Sequence, residues 1–335
     1  MNESVSGRAT DTVGRLPVPH MTSGVVGLPD VRTAAVTPAR PFVKWAGGKS
    51  QLLDVIRAAY PVGLGTTITR YAEPFVGGGA VLFDVLSRVH LQAVYISDIN
   101  RELINAYTVV RDSVDSLIAM LSQLEAEFLS RDMDERRRFY YDRRREFNAT
   151  TTAQSQTSNV RKAALLVFLN RTCFNGLYRV NRNNEFNVPM GQYKNPHICD
   201  AVNLKAASSL LDGVTIACGD YHECEQFVNE NTFVYVDPPY RPLTKTASFT
   251  AYTQDSFDDS AQIELARFID RLANTKDAHV LVSNSDPRNS DPTDDFFDNL
   301  YARYTIRRVH AARMINSRAS ERGLVAELLI SNYPQ

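Results

Sequence analysis

The eight residues Phe233-Val-Tyr-Val-Asp-Pro-Pro-Tyr240 join an apolar run to a polar turn. Valine and aromatic side chains in a run of four favour a short strand that is buried on both faces. The two prolines end that strand, because each lacks a backbone N–H and fixes its own φ. The stretch therefore predicts a strand of a parallel sheet that ends at Asp237. Ligands of open α/β sheets bind at such strand ends.

Strands and helices alternate on both sides of this strand. The sequence predicts further strands at residues 68–75, 93–97, 214–217, 278–283, 305–309 and 324–330. It predicts helices at residues 49–60, 79–89, 101–129 and 259–272. Such alternation is typical of the α/β class with a doubly wound, mostly parallel sheet. Residues 285–299 are acidic and rich in Pro and Asn, and we expect a long loop there.

A basic segment interrupts this alternation. Residues 131–182 contain twelve Lys or Arg and five Asp or Glu, with a run of arginines at residues 136–145. We expect a helical insertion, in which the arginines either contact phosphates or form a solvated helix face with ion pairs. The predicted organisation is a flexible tail at 1–40, a catalytic domain at 41–111 and 205–335, and an inserted domain at 112–204.

The composition excludes several classes of protein. Of 335 residues, 44% are hydrophobic and 22% are charged, which excludes a fibrous or wholly disordered chain. Apolar runs such as residues 163–169 are too short to cross a membrane, and we expect no signal peptide. The net charge of −1 gives no global sign of nucleic-acid binding. The four cysteines form no C-x-x-C pair, which predicts reduced thiols in a cytoplasmic protein without a metal site.

A glycine turn and an acidic residue suggest a nucleoside site. Gly77, Gly78 and Gly79 follow one predicted strand, and Asp98 ends the next strand, 21 positions after Gly77. That spacing lets a carboxylate bind ribose hydroxyls in nucleotide-binding α/β folds. Leu82 replaces the third glycine of the dinucleotide motif, so an adenosyl ligand without a pyrophosphate fits better. A tight glycine turn with no ligand remains the alternative.

The turn after residue 236 suits an exocyclic amine. The N6 of adenine is a poor nucleophile, and two acceptors on its hydrogens would return electron density to it. Asp237 supplies a carboxylate, Pro238 a backbone carbonyl, and Tyr240 a ring that can stack on a base taken out of the duplex. The alternative is an ordinary proline turn whose Asp accepts backbone hydrogen bonds.

Residues 44–49 (KWAGGK) open the predicted catalytic domain but are not a phosphate-binding loop, because Val43 stands where that motif requires glycine. Trp45 is either a core residue or a surface for an adenine or methionyl group. Lys49 is expected to reach a carboxylate.

Six motifs occur in one order along the chain: residues 44–49 (KWAGGK), 73–79 (EPFVGGG), 98–100 (DIN), 170–179 (NRTCFNGLYR), 185–193 (EFNVPMGQY) and 237–240 (DPPY). Together they resemble the Dam-type (D12 class) DNA adenine-N6 methyltransferases, and the resemblance covers residue 41 to the end. It implies a seven-stranded methyltransferase sheet with a helical target-recognition domain inserted after the second strand. It also implies S-adenosylmethionine as methyl donor, double-stranded DNA as partner, no metal, and a GATC-like site.

The same resemblance assigns residues to roles. It implies a catalytic set of Asp237, Pro238 and Tyr240. It implies a cofactor-binding set of Trp45, Lys49, Phe75, Gly77, Gly79, Asp98 and Asp237. It implies a DNA-binding set of Lys44, Phe174, Asn175, Leu177, Arg179, Pro189 and Gln192. Within the DNA-binding set, Lys44 and Arg179 would read bases, Phe174 would intercalate, and Asn175 would contact the partner strand.

Two departures from the family pattern concern DNA contacts. Phe174 stands where Tyr is frequent, which preserves stacking. Gln192 stands where some relatives carry Arg, which removes a positive charge from a phosphate or base contact. Three alternatives stay open: the same chemistry at another adenine-containing site, the same chemistry at cytosine N4, and a non-catalytic DNA-binding regulator. We expect a monomer.

Overall fold

The computed structural model describes residues 38–150, 155–241, 257–312 and 324–334. The predicted tail lies outside the described residues except for its last three. We also expect a loop near DNA at residues 316–323, and these residues lie outside the described ones as well. No helix among the described residues is long and apolar enough to cross a membrane.

All seven predicted strands are present in the described chain. They are β1 (Arg70–Glu73), β2 (Ala93–Asp98), β3 (Thr215–Cys218), β4 (Thr232–Val236), β5 (His279–Ser285), β6 (Thr305–Ala312) and β7 (Leu324–Ser331). They form one sheet in the order β3-β2-β1-β4-β5-β7-β6. Strands β1 to β5 are parallel, and β7 is antiparallel to both β5 and β6. The predicted seven-stranded, mostly parallel α/β fold is confirmed.

Helices surround the sheet and fill the chain between β2 and β3. They are α1 (Leu53–Arg57), α2 (Ala80–Arg88), α3 (Arg101–Asp112), α4 (Val114–Leu129), α5 (Met133–Ala149), α6 (Gln156–Thr172), α7 (Ala201–Leu211), α8 (Asp259–Thr275) and α9 (Phe296–Leu300). The middle helix of the insertion, α6, is buried nearly all round, because its run of Ala, Leu, Val and Phe packs against α3, α4 and α5.

Two helix predictions and one loop prediction need correction. The predicted helix 101–129 is two helices that meet at Ser113, which caps one and starts the other. The predicted helix 49–60 is a 3₁₀ turn at Lys49–Gln51 followed by α1. The predicted loop 285–299 contains a 3₁₀ turn at Pro287–Asn289 and α9. The Asp and Pro residues that suggested a loop are in fact starting signals of short helices.

Several arginines of the run in α5 bind groups of the protein itself, so they contribute to the fold. The Arg136 guanidinium donates to the carbonyls of Phe128, Leu129 and Lys194. Arg143 and Arg145 pair with Glu146 and Asp142 on the same helix. Arg137 and Arg138 are exposed. The boundaries of the inserted domain stay a prediction.

Candidate active site

The carboxyl ends of the parallel strands meet at one edge of the sheet and carry the predicted polar residues. Glu73 ends β1, Asp98 ends β2, and Asp237 follows β4 directly. Ser283 lies on the neighbouring strand β5, which pairs with β4 in parallel. Because parallel strands end on the same side, residues far apart in sequence converge here.

Asp237 is held by a lysine from the start of the described chain. The Lys49 amine lies 2.6 Å from Asp237 Oδ1 and 2.8 Å from Oδ2, and it also donates to the Tyr240 hydroxyl at 3.0 Å. The Lys49 side chain is only 3% exposed. Burial lowers the pKa of Lys49, but the carboxylates of Asp237 and Glu327 and the Tyr240 hydroxyl outweigh burial. The pKa of Lys49 therefore lies above its usual value, and the amine is charged.

A buried hydroxyl chain reaches Asp237 from the other side. Ser283 Oγ donates to Asp237 Oδ1 at 2.9 Å. The Tyr235 hydroxyl lies 2.8 Å from Ser283 Oγ, and both residues are buried. The turn is also fixed two residues after Asp237, where the buried Gln262 amide donates to the Pro239 carbonyl at 3.1 Å. Asp237 is therefore held in one orientation rather than exposed on a flexible loop.

Two buried carboxyl groups flank this arrangement. Glu327 on β7 accepts the Tyr240 hydroxyl at 3.0 Å on both oxygens. Glu73 accepts the Tyr71 hydroxyl at 2.7 Å. Burial raises the pKa of Glu73 to about 8, with a smaller contribution from the charge of Asp237. The site therefore contains one ammonium and several carboxyl groups close together, and most of them are shielded from water.

The glycine turn is built around Asp98. The Gly77 N–H donates to Asp98 Oδ2 at 3.1 Å, and the Asn100 N–H donates to Oδ1 at 2.9 Å. Gly77 and Gly79 have φ of +47° and +73°, which L side chains rarely adopt. A Cβ on Gly79 would lie 2.4 Å from the Tyr107 hydroxyl. Burial raises the pKa of Asp98, while these backbone donors oppose that rise.

Aromatic rings line the surroundings of this turn. Phe75 stacks on Tyr221 with centroids 5.2 Å apart. Trp45 is half-buried and stacks on Tyr178 at 5.3 Å. A Cβ on Gly77 would lie 2.9 Å from the Trp45 ring, so the indole lies directly against the glycine turn. Trp45 is thus next to the predicted nucleoside site and is not part of the deep core.

A second cluster joins Lys44 to the segment after α6. The Asn170 amide accepts from the Lys44 N–H at 2.7 Å and donates to the carbonyls of Lys44 and Gly176, each at 2.9 Å. The Lys44 stem packs on Gly176, where a Cβ would lie 2.3 Å from Lys44 Cδ. The Lys44 amine lies 5.0 Å from the centre of the Tyr193 ring. Asn175 stands beside this contact with a φ of +55°.

The other predicted DNA-binding residues lie on the same surface. The Phe174 N–H donates to the Pro189 carbonyl at 2.9 Å, and the Phe174 ring is 52% exposed. Arg179 Nε donates to the Asn187 side chain at 2.7 Å across a short hairpin. Leu177 is half-buried and Gln192 is exposed. These contacts join residues 174–179 to residues 187–193, and the stacking of Trp45 on Tyr178 places this cluster beside the glycine turn that holds Asp98.

Several residues of the site were not predicted from the sequence. They are Ser283, Tyr235, Gln262 and Glu327 around the Asp237 turn, Tyr221 on Phe75, and Asn170 behind Lys44. Ser283 has one local signal, since its position near the carboxyl end of a predicted strand marks it for this edge of the sheet. Among the residues described, no group of three or more His, Cys, Asp or Glu side chains is arranged to hold a metal ion.

Comparisons with known proteins agree with this geometry. Residues 45–315 match the family described as D12 class N6 adenine-specific DNA methyltransferase. The chain is 48% identical over 296 residues to the Type II methyltransferase M.MjaIII of Methanocaldococcus jannaschii, which covers 88% of this chain and 99% of that protein. It is 33% identical over 290 residues to a DNA adenine methylase of Haemophilus influenzae, covering 87% of this chain and 92% of that protein. The chain belongs to the D12 class of N6 adenine-specific DNA methyltransferases.

Proposed function

We propose that this enzyme transfers a methyl group from S-adenosylmethionine to N6 of an adenine that is flipped out of duplex DNA, within a GATC-like site. The observation that carries the proposal is the Asp237 turn. Its carboxylate is clamped by Lys49 and Ser283 at the same edge of the sheet as the Gly77–Asp98 arrangement. The glycine turn follows β1, which is the direct neighbour of β4, and this supports an amine acceptor beside a nucleoside site.

The residues around Asp98 fit an adenosyl group. The half-buried Asp98 carboxylate accepts two backbone hydrogen bonds, and a carboxylate has lone pairs for further donors such as ribose hydroxyls. Phe75 on Tyr221 offers an aromatic surface, and Trp45 borders the glycine turn. We propose that Phe75, Gly77, Gly79, Asp98 and Trp45 hold the nucleoside and methionyl parts. When bound, S-adenosylmethionine supplies an electrophilic methyl group on a sulfonium centre.

The chain's own contribution to catalysis is to orient and polarise the amine. Asp237 and the Pro238 carbonyl would accept the two hydrogens of N6, which returns electron density to nitrogen. Positive charge develops on that nitrogen as the bond from N6 to the methyl group forms and the bond from that methyl group to the sulfonium sulfur breaks, and the fixed carboxylate stabilises the charge without reorganising. The methylated nitrogen then loses its extra proton, and a neutral thioether is left. Lys49, which was predicted to bind the cofactor, would instead hold the Asp237 carboxylate in the orientation that accepts the N6 hydrogen. No covalent enzyme intermediate is needed, since positioning supplies much of the rate enhancement.

The flipped base would stack on Tyr240. Tyr240 as a whole is 37% exposed, whereas its hydroxyl is anchored by Glu327 and Lys49. An anchored ring with an open face is suited to stacking on a base that has left the duplex. Phe174, half exposed on the other cluster, is suited to fill the gap that the base leaves.

We propose that the insertion at 112–204, together with Lys44, is the DNA-reading part. Lys44 and Arg179 would contact base edges, Asn175 the partner strand, and Leu177, Pro189 and Gln192 the surroundings of the intercalated ring. Support comes from their shared surface and from the Asn170 amide that ties Lys44 to the 174–176 turn. Because one chain carries both clusters, we propose a monomer. Its four unpaired cysteines favour the cytoplasm.

The test is methyl transfer from S-adenosylmethionine to unmethylated plasmid, with each modified position mapped by sequencing. Asp237→Asn is the matched control, because it keeps the side-chain volume and removes the carboxylate. We expect N6-methyladenine in GATC with the natural chain and none with the variant.

Each other result identifies an alternative. Methylation of adenine elsewhere would keep the chemistry and overturn the GATC assignment, with Gln192 as the first residue to examine. Methylation of cytosine N4 would overturn the proposal that the base beside Asp237 is adenine. Binding of both DNA and cofactor without turnover would leave a non-catalytic regulator.

A further inference from the structure

The two oxygens of the Asp237 carboxylate are not equivalent. Among the contacts of the described residues, Oδ1 accepts from Lys49 at 2.6 Å and from Ser283 at 2.9 Å, whereas Oδ2 accepts from Lys49 at 2.8 Å. Each carboxylate oxygen has two lone pairs. The Lys49 ammonium has three hydrogens and also donates to the Gly47 carbonyl and the Tyr240 hydroxyl, so the two carboxylate oxygens share one of its N–H groups. Oδ1 therefore has Ser283 as a second donor, and Oδ2 is the oxygen more open to a further donor.

The hydroxyl chain behind Oδ1 has a defined direction. Asp237 is a carboxylate beside the charged Lys49 and can only accept, so the Ser283 hydroxyl must donate to it. The Ser283 oxygen is then free to accept from the Tyr235 hydroxyl at 2.8 Å. Burial, as the main cause, and the nearby Asp237 hold the pKa of Tyr235 well above its usual value, so this phenol keeps its proton and remains a donor.

The hydrogen-bonded hydroxyls of Ser283 and Tyr235 restrict rotation of the Asp237 carboxylate. The Lys49 amine touches both oxygens, so by itself it tolerates a range of carboxylate rotations. Ser283 touches one oxygen only, and it is fully buried on β5, a strand paired directly with β4. Its contact therefore distinguishes the two oxygens.

We propose that Ser283, supported by Tyr235, is a positioning residue that donates to Oδ1 of Asp237 and so presents Oδ2 to the exocyclic amine of the substrate. This inference rests on the proposed role of Asp237 as the amine's acceptor. Ser283 does not touch substrate in this scheme. It acts through Asp237, and Tyr235 acts through Ser283.

The test compares Ser283→Ala, Tyr235→Phe and the double variant. Ser331→Ala is the matched control, because Ser331 is another buried strand serine, at the end of β7, and its hydroxyl donates to the Tyr333 carbonyl. The readouts are the single-turnover methylation rate, KM for DNA, and cofactor affinity by titration calorimetry. Thermal unfolding verifies that each variant is folded.

We expect Ser283→Ala to lower the methylation rate by about 10-fold and Tyr235→Phe by about 3-fold, with KM and cofactor affinity unchanged. The double variant should match Ser283→Ala, because Tyr235 reaches Asp237 only through Ser283. Ser331→Ala should match the natural chain. If Ser283→Ala fails to fold, Tyr235→Phe carries the test, since it removes a single oxygen.

The inference is overturned if Ser283→Ala keeps the natural rate, if the two single effects multiply in the double variant, or if the loss appears in KM or cofactor affinity. The Asp237→Asn variant distinguishes failure of the positioning role of Ser283 from failure of the proposed function. An inactive Asp237→Asn with a fully active Ser283→Ala would reject only the positioning role. A fully active Asp237→Asn would reject the role of Asp237 itself.

Discussion

Lys49 and Asp237 are 188 positions apart in sequence, and the Lys49 amine lies 2.6 Å and 2.8 Å from the two carboxylate oxygens. Lys49 is the last residue of the KWAGGK motif and the first residue of a 3₁₀ turn. The ion pair therefore joins this turn to the turn that follows β4. Because the lysine is almost fully buried and the aspartate is partly exposed, the ion pair both fixes the fold at this edge and leaves the carboxylate accessible.

Removing the lysine should destabilise the protein. Lys49→Met keeps an unbranched side chain as far as Cε but leaves Asp237 without its buried cation. Loss of one partner of a buried pair is costly, and we expect the free energy of unfolding to fall by roughly 2–4 kcal/mol. Denaturant unfolding measures this. Asp237→Asn in the Lys49→Met background should recover part of the loss; strictly additive losses would show that the pair is not coupled.

Tyr240 should act through its ring more than through its hydroxyl. Tyr240→Phe removes the bonds to Lys49 and Glu327 but keeps the stacking surface, and we expect kcat/KM to fall less than 10-fold. Tyr240→Ala removes the ring, and loss of base stacking, about 1–3 kcal/mol, should lower kcat/KM by roughly 10- to 100-fold. Steady-state methylation of a short duplex is the measurement. Equal losses in both variants would contradict the stacking role.

Gly176 should be needed for DNA binding. A Cβ there would lie 2.3 Å from Lys44 Cδ, and the glycine has a φ of +65°. We expect Gly176→Ala to displace Lys44 and to weaken DNA binding about 10-fold in fluorescence anisotropy, without changing cofactor affinity. Gly213→Ala is the control, since Gly213 has a φ of +72° with nothing within 4 Å of its Cβ position. Equal effects of both variants would point to backbone strain alone.

Gln192 is exposed beside the Lys44–Tyr193 contact, and an arginine there should add a phosphate contact. We expect Gln192→Arg to raise DNA affinity at low salt and to steepen the dependence of log K on log salt by roughly one unit. Anisotropy titrations at several salt concentrations measure the slope. Gln192→Met is the neutral control of similar size. An unchanged slope with a changed methylation pattern would instead indicate a base contact.

Glu73 should make stability depend on pH. Its pKa is about 8 in the folded protein against an ordinary value of 4.5, because it is buried. The folded state therefore keeps a proton that the unfolded chain releases, and the free energy of unfolding falls as pH rises from about 4.5 to about 8. The Glu73→Gln variant has no carboxyl group at this position, so its free energy of unfolding lacks this pH-dependent contribution. Its stability relative to the natural chain should increase across that window by a few kcal/mol, on the order of the pKa difference. A constant difference in denaturant unfolding would contradict the prediction.

Local patterns predicted most of the fold. The central strands β2, β4 and β5 each contain a short run of apolar, mostly β-branched or aromatic residues, and such a run is a property of neighbouring residues. The same patterns placed Asp98 and Asp237 at strand ends, and parallel pairing then forced them to one edge. The break at Ser113 was missed, because it carries neither Gly nor Pro and is marked only by a capping residue.

The sequence by itself determined the strand–helix alternation, the glycine turn, the carboxylates at strand ends and the family to which the chain belongs. Only the tertiary structure decided their partners. Lys49 on Asp237, Ser283 on Oδ1, Glu327 on Tyr240 and Asn170 on Lys44 join residues 46 to 188 positions apart. Such pairs depend on sheet order and on which buried polar groups must be satisfied once water is excluded, and neither is encoded in the spacing of nearby residues.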